Sequence, residues 1–179
     1  MRRRLDKADA GLAAIQSAAW GHIMKIRIRR LDARLPLPAY HSSGAAAFDL
    51  AAAEDAVVQP GEVRLVRTGI VVEIPPGYFL GIVARSSLPL RKGLIVANGI
   101  GVIDSDYSGP DDEVKVEVLN VTDAPVSISR GERLAQGLLL SAARVVWDEV
   151  DETAGRSRGG FGATGGYRGK IRRRSRPAG

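Results

Sequence analysis

Two aspartates and a tyrosine lie close together in Asn98-Gly99-Ile100-Gly101-Val102-Ile103-Asp104-Ser105-Asp106-Tyr107-Ser108-Gly109. Carboxylates two apart in an extended strand point to one face, and a site that tolerates both has a cation or a proton to share. Gly99 and Gly109 suit the positive φ of tight turns, while Val102 and Ile103 suit a pleated, half-buried surface. The stretch reads as a hairpin whose tip is a pocket. Its plain alternative is an acidic loop tip that binds nothing.

Four further stretches carry similar chemistry. Gly44-Ala45-Ala46-Ala47-Phe48-Asp49-Leu50-Ala51-Ala52 sets one aspartate among small residues, and Ala84-Arg85-Ser86-Ser87-Leu88 offers a guanidinium beside two hydroxyls. Arg130-Gly131-Glu132-Arg133-Leu134-Ala135-Gln136 follows the tyrosine stretch. Then comes the glycine-rich Arg156-Ser157-Arg158-Gly159-Gly160-Phe161-Gly162-Ala163-Thr164-Gly165. In chain order, with the tyrosine stretch third, the five resemble the five motifs of the trimeric dUTP pyrophosphatases (dUTPases), a resemblance that runs from about Met24 to Gly165.

The resemblance implies an all-β, jelly-roll-like β-sandwich (the dUTPase-like β-clip), a homotrimer with shared active sites, and Mg²⁺-assisted hydrolysis of dUTP to dUMP and diphosphate. Such an activity limits uracil in DNA and supplies dUMP for thymidylate synthesis. Hydrolysis between the α- and β-phosphates needs an oriented water, a base and positive charge for the oxygens. By resemblance Asp104 positions the water; its alternative is an Asx turn. No histidine competes for the base, since His22 lies in the N-terminal extension and His41 precedes the first motif.

By the same resemblance Asp49 holds the water shell of a phosphate-bound Mg²⁺, or else only caps a turn. Arg85, Ser86 and Ser87 grip phosphate, with Ser87 standing where the family usually has glycine. Asn98, Val102 and Ile103 belong to the hairpin that meets the uracil edge. Tyr107 packs on deoxyribose and excludes a 2′-hydroxyl, or else simply covers a core edge. Lys115 reaches a backbone-contact position if Pro110-Asp111-Asp112 is counted as an insertion. Gln136 meets phosphate or water, and Arg133 makes a structural or intersubunit ion pair. Arg156 meets phosphate, Phe161 stacks on uracil, and Gly162 offers a backbone N–H to phosphate. Ser157 and Ala163 depart from a usual glycine and serine.

These residues need elements to hold them. Ile26 and Ile28 alternate with Lys25, Arg27 and Arg29, and Val114, Val116 and Val118 with Lys115, Glu117 and Leu119, which predicts half-buried strands. Pro60-Gly61, Pro75-Pro76-Gly77, Asn98-Gly99, Gly109-Pro110 and Arg130-Gly131 punctuate the apolar runs. Many short strands with frequent turns predict an all-β sandwich or barrel. Helix is expected only at Asp6 to Trp20 and near Ser86 to Lys92.

At 179 residues the chain can bury one sizeable core. It has no cysteine, which excludes disulfides and thiolate zinc sites. Without a bilayer-length apolar run or a signal-like core, a cytoplasmic location is expected. The net charge of +6 is uneven: residues 1–30 carry eight basic side chains against two acids and residues 156–179 eight against none. The stretch between them holds ten basic against eighteen acidic residues. The basic ends are either solvated tails or arms toward phosphates, a neighbouring subunit or nucleic acid; the aromatic interleaving of a single-strand binder is missing from the tail. The expected division is an extension over 1–23, a β domain over 24–152 and an arm with a basic tail over 153–179. The competing activities are a dCTP deaminase of the same fold, which would need a glutamate or metal at the base, and a non-catalytic nucleotide- or nucleic-acid-binding trimer.

Overall fold

A computed structural model describes residues 23–160. The expected helix over Asp6 to Trp20 lies outside them, as do Phe161 and Gly162. The described chain is all-β, a jelly-roll-like sandwich of antiparallel ladders with one short helix. Its elements are β1 (Arg27–Arg30), β2 (Phe48–Ala51), β3 (Ala56–Val58), β4 (Val63–Arg67), β5 (Ile70–Glu73), β6 (Tyr78–Ala84), α1 (Leu88–Lys92), β7 (Leu94–Val96), β8 (Gly101–Ile103), β9 (Lys115–Asn120), β10 (Val126–Ile128) and β11 (Arg133–Ser141). The strands order as β2-β11-β6-β8 in the largest sheet, β4-β9-β7 in the next, and the pairs β1-β5 and β3-β10.

Period two decides the core. Val114, Val116 and Val118 are fully buried while Lys115 is exposed, so β9 presents one apolar face inward. They meet Leu50, Val58, Val66, Leu80, Ile82 and Leu134 from the other strands. Burying each such side chain contributes roughly 1.5 to 3 kcal/mol before entropy is counted. β1 departs from the expected half-buried strand, because all four of its residues are exposed. It pairs only with β5, and Ile26 and Ile28 line an open apolar cleft with Phe48 and Leu139.

The helix expected near Ser86 to Lys92 is present as α1. Pro89 suits its first turn, and Gly93 ends it with φ of 64° and an N–H donated to the Pro89 carbonyl. A Cβ on Gly93 would fall on the Thr122 methyl, so both backbone and packing require glycine there. Among the described residues, 23–143 form one compact unit, and Arg144 begins a second. The described part of the second, residues 144–160, is exposed and has no helix or strand. Among the described residues no helix is long and apolar enough to cross a membrane.

Candidate active site

Sheet register brings the first group of side chains together. Asp49 on β2 lies opposite Gln136 on β11, and Gln136 lies opposite Val83 on β6. Directly opposed residues share a face, as do residues two apart, so Arg85 projects to the same side as Asp49 and Gln136. Arg133 precedes Gln136 by three positions, which in a regular strand would turn it to the opposite face. The β11–β2 ladder carries a bulge between Arg133 and Ala135. The extra residue restores the guanidinium to the side of Asp49.

Asp49 is buried, and a buried carboxylate without partners would be costly. Arg133 Nη1 donates to its Oδ2 and Gln136 Nε2 to its Oδ1, each at 3.0 Å. Arg85 Nε stands 3.4 Å from Oδ1 and His41 Nε2 3.5 Å from Oδ2. Arg85 is steadied by a second bond, from Nη1 to the Arg133 carbonyl at 3.3 Å. Two guanidiniums against one carboxylate leave a positive excess that suits phosphate oxygens. Ser86 is exposed beside it, and Ser87 begins α1 without a side-chain capping bond.

The second group lines a cavity of about 260 Å³. Asn98, Val102, Ile103, Tyr107 and Lys115 all face it, together with Glu113 and Glu117. The strands around it differ from the expected hairpin: β7 pairs with β9 and β8 with β6, so the Asn98-Gly99 turn crosses between two sheets. Gly99 takes φ of 74°, as expected, but Gly109 is absent from the positive-φ glycines. Gly109 is instead required by close approach, since its N–H donates to Asp112 Oδ2 at 2.7 Å and a Cβ would stand 2.9 Å from that oxygen. Nor does the strand extend through the acidic pair. The Tyr107 N–H donates to the Asp104 carbonyl at 3.2 Å, so a turn over 104–107 separates Asp104 from Asp106. The Asp104 carboxylate is exposed and makes no hydrogen bond or ion pair among the described residues.

The two groups are apart. Asp49 and Asp104 are separated by three strand spacings across the sheet and about four residues along it, which amounts to about 20 Å. Arg156 lies in the second unit, exposed. Sequence reasoning missed His41, Glu113 and the bulge. Glu113 lies 46 residues from its partner Arg67, and no local spacing could reveal that pair.

The dUTPase family model matches residues 33–165. A deoxyuridine 5′-triphosphate nucleotidohydrolase of Thermobifida fusca is 46% identical over 147 residues, covering 80% of each chain. One from Zymomonas mobilis is 43% identical over 79% of this chain and 98% of its own. Among solved structures, the dUTPase of Streptococcus mutans superposes with a TM-score of 0.62 at 31% identity, covering 67% of this chain and 98% of that one. A dUTPase of Staphylococcus bacteriophage 80alpha bound to dUpNHpp does so at 0.70 and 23% identity, which speaks for the fold.

Proposed function

The chain belongs to the dUTPase family, and from that premise we infer that it hydrolyses dUTP to dUMP and diphosphate. The observation that carries the chemistry is the convergence of Arg85, Arg133 and Gln136 on buried Asp49. In this reading a water oxygen attacks the α-phosphorus, the bond from that phosphorus to the bridging oxygen breaks, and diphosphate leaves. Asp104, exposed and unpartnered among the described residues, orients the water and draws its proton. Arg85, Ser86, Ser87 and Gln136 receive the phosphate oxygens, joined by Arg156 from the arm. Asn98, Val102 and Ile103 meet the base, Tyr107 packs on the sugar, and Lys115 borders the same cavity. Phe161 and Gly162 complete the arm's contribution by stacking on uracil and donating an N–H.

The separation of about 20 Å between Asp49 and Asp104, taken from strand spacing, supports a shared site. A water held by Asp104 and the phosphates received beside Asp49, where Arg85 also stands, must be neighbours in one substrate, and one chain keeps the two groups too far apart. Copies arranged head to tail in a closed ring would bring Asp104 of one copy to Arg85 of the next. A homotrimer acting in the cytoplasm is the assembly we propose.

The donor set fits Mg²⁺ in one way only. No group of three His, Asp or Glu side chains that could cage a cation occurs among the described residues. Asp49 is a single carboxylate whose two oxygens already face four side-chain nitrogens. It suits a magnesium held by the substrate phosphates that keeps its waters, which Asp49 would accept. Bound there, the ion would neutralise charge on the phosphates and the leaving diphosphate. Arg85, at 3.4 Å the looser guanidinium, would turn from Asp49 to phosphate and leave Oδ1 with Gln136 as its remaining donor.

The test measures diphosphate release from dUTP beside ammonia release from dCTP. The reading expects the first without the second. Ammonia from dCTP would instead point to a glutamate of the cavity, Glu113 or Glu117, as the base-directed group.

A further inference from the structure

Glu113 is a buried carboxylate that no phosphate-binding or water-orienting role employs. Its Oε2 accepts from Arg67 Nε at 2.7 Å and its Oε1 from the Gly69 N–H at 2.7 Å. The Arg67 guanidinium is correspondingly held above its ordinary pKa by that hydrogen bond. Gly69 is itself fixed: it has φ of 70°, a Cβ there would lie 2.5 Å from Leu35 Cδ1, and its carbonyl accepts from the Leu31 N–H at 2.8 Å. The next residue continues the attachment, because the Val114 N–H donates to the Ile70 carbonyl at 2.9 Å. The end of the loop between β8 and β9 is thus fastened to the β4–β5 turn by a charge pair and by backbone.

The main-chain carbonyl of the same Glu113 accepts the Tyr107 hydroxyl at 3.4 Å. Among the described residues this is the Tyr107 side chain's only hydrogen bond, and the residue is 38% exposed. Pro110, Asp111 and Asp112 lie in the loop between the two residues, and a tyrosine held across such a loop would loosen if its anchor were free to move. We infer that Glu113 is a positioning residue for sugar discrimination: clamped to Gly69 and Arg67, it fixes the carbonyl on which the Tyr107 hydroxyl rests and so sets the ring in the cavity. This rests on the reading that Tyr107 packs on deoxyribose.

The test uses the full-length chain and the variants Glu113→Gln, Arg67→Gln, Tyr107→Ala and the double variant Glu113→Gln/Tyr107→Ala. The readout is the ratio of kcat/KM for dUTP to that for UTP, with amide hydrogen exchange over residues 104–112. Glu113→Gln should lower the ratio roughly tenfold, the scale on which a pocket senses a misplaced wall, and speed exchange in the loop. The double variant should be no less selective than Tyr107→Ala alone, since a residue acting through the ring has nothing left to position. If Glu113→Gln does not fold, Arg67→Gln carries the test, because its side chain is half exposed and the same loss of selectivity is expected. An unchanged ratio in the folded variant, or losses that add in the double variant, would overturn the inference. Wild-type protein that releases no diphosphate from dUTP would instead sink the functional reading, and the clamp would then stand or fall on the exchange rates alone.

Discussion

Gln136 faces Asp49 directly across the β2–β11 ladder and donates its amide to Oδ1 at 3.0 Å, one strand position beyond a bulge that turns Arg133 onto Oδ2. One irregularity in one strand thereby puts an amide and a guanidinium on the same carboxylate. Gln136→Glu would set a second carboxylate at that distance. Like charges so close cannot both stay ionised without cost, and the positive excess offered to phosphate would fall. Competitive inhibition by inorganic diphosphate should weaken about tenfold or more, the scale of a lost charge-assisted contact, while the melting temperature stays within a few degrees. Undiminished inhibition would separate this carboxylate from phosphate binding.

Asp104 tests the chemistry itself. Its carboxylate is exposed and makes no contact that the fold depends on, so Asp104→Asn should fold and bind nucleotide normally. Turnover should drop by about a hundredfold or more, since a positioned base contributes on that order. A variant with full turnover in steady-state diphosphate release would remove Asp104 from the role.

Legibility in the sequence followed locality. β9 could be read because its valines repeat at the strand period, and α1 falls where a turn or two of helix is expected, with Pro89 in its first turn and Gly93 at its end. β1 carries a comparable alternation, yet among the described residues it pairs only with β5 and Ile28 is exposed in the single chain. The crossing of sheets at Asn98-Gly99 was hidden, since a turn dipeptide looks the same whether its strands pair with each other or with others. The bulge at Arg133 was hidden for a related reason: strand period alone places Arg133 and Gln136 on opposite faces. Individual site residues were visible through their motifs. That they fall into two groups emerges only from the ladder registers.

Acid should reveal a joint outside the site. Asp32 accepts from Arg34 and pairs with Arg130, and the Arg34 hydrogen bonds, side chain then backbone, hold its carboxyl well below the usual carboxylate range. A carboxyl with a lowered folded pKa adds stability that is fully present above its unfolded value of about 4 and is lost as the pH falls toward the folded value. Asp32→Asn should therefore melt below wild type at pH 7, and the gap should narrow steadily once the pH drops under about 4. Melting curves taken at both ends of that window check the sign; a gap that widens in acid would contradict it.

The arm separates stability from activity. Residues 144–160 are exposed and irregular, so cutting the chain within them removes little packing. A chain ending at Gly155 should keep its melting temperature and its assembled mass, and yet lose most diphosphate release, because Arg156 and Phe161 go with the arm. A chain ending at Arg168 should stay active, since it keeps every residue assigned to substrate. Activity in the shorter chain would confine catalysis to the β domain.

Subunit mixing addresses the distance between the two groups. Arg85→Ala and Asp104→Asn should each be inactive as uniform trimers, for each lacks one half of every site. If a site takes Asp104 from one subunit and Arg85 from the next around a closed ring, unfolding the two variants together at equal amounts and refolding them should restore activity. Random assembly gives about a quarter of the sites an intact Asp104 beside an intact Arg85, so the mixture should recover about that share of the wild-type rate. Were both residues to serve the same site from the same chain, each chain would lack one of them and no mixture could complement. Simple mixing without unfolding should recover far less, because preformed trimers keep their own subunits. Recovery after refolding and its absence beforehand, measured as diphosphate release from dUTP, together distinguish a shared site from a contaminating activity.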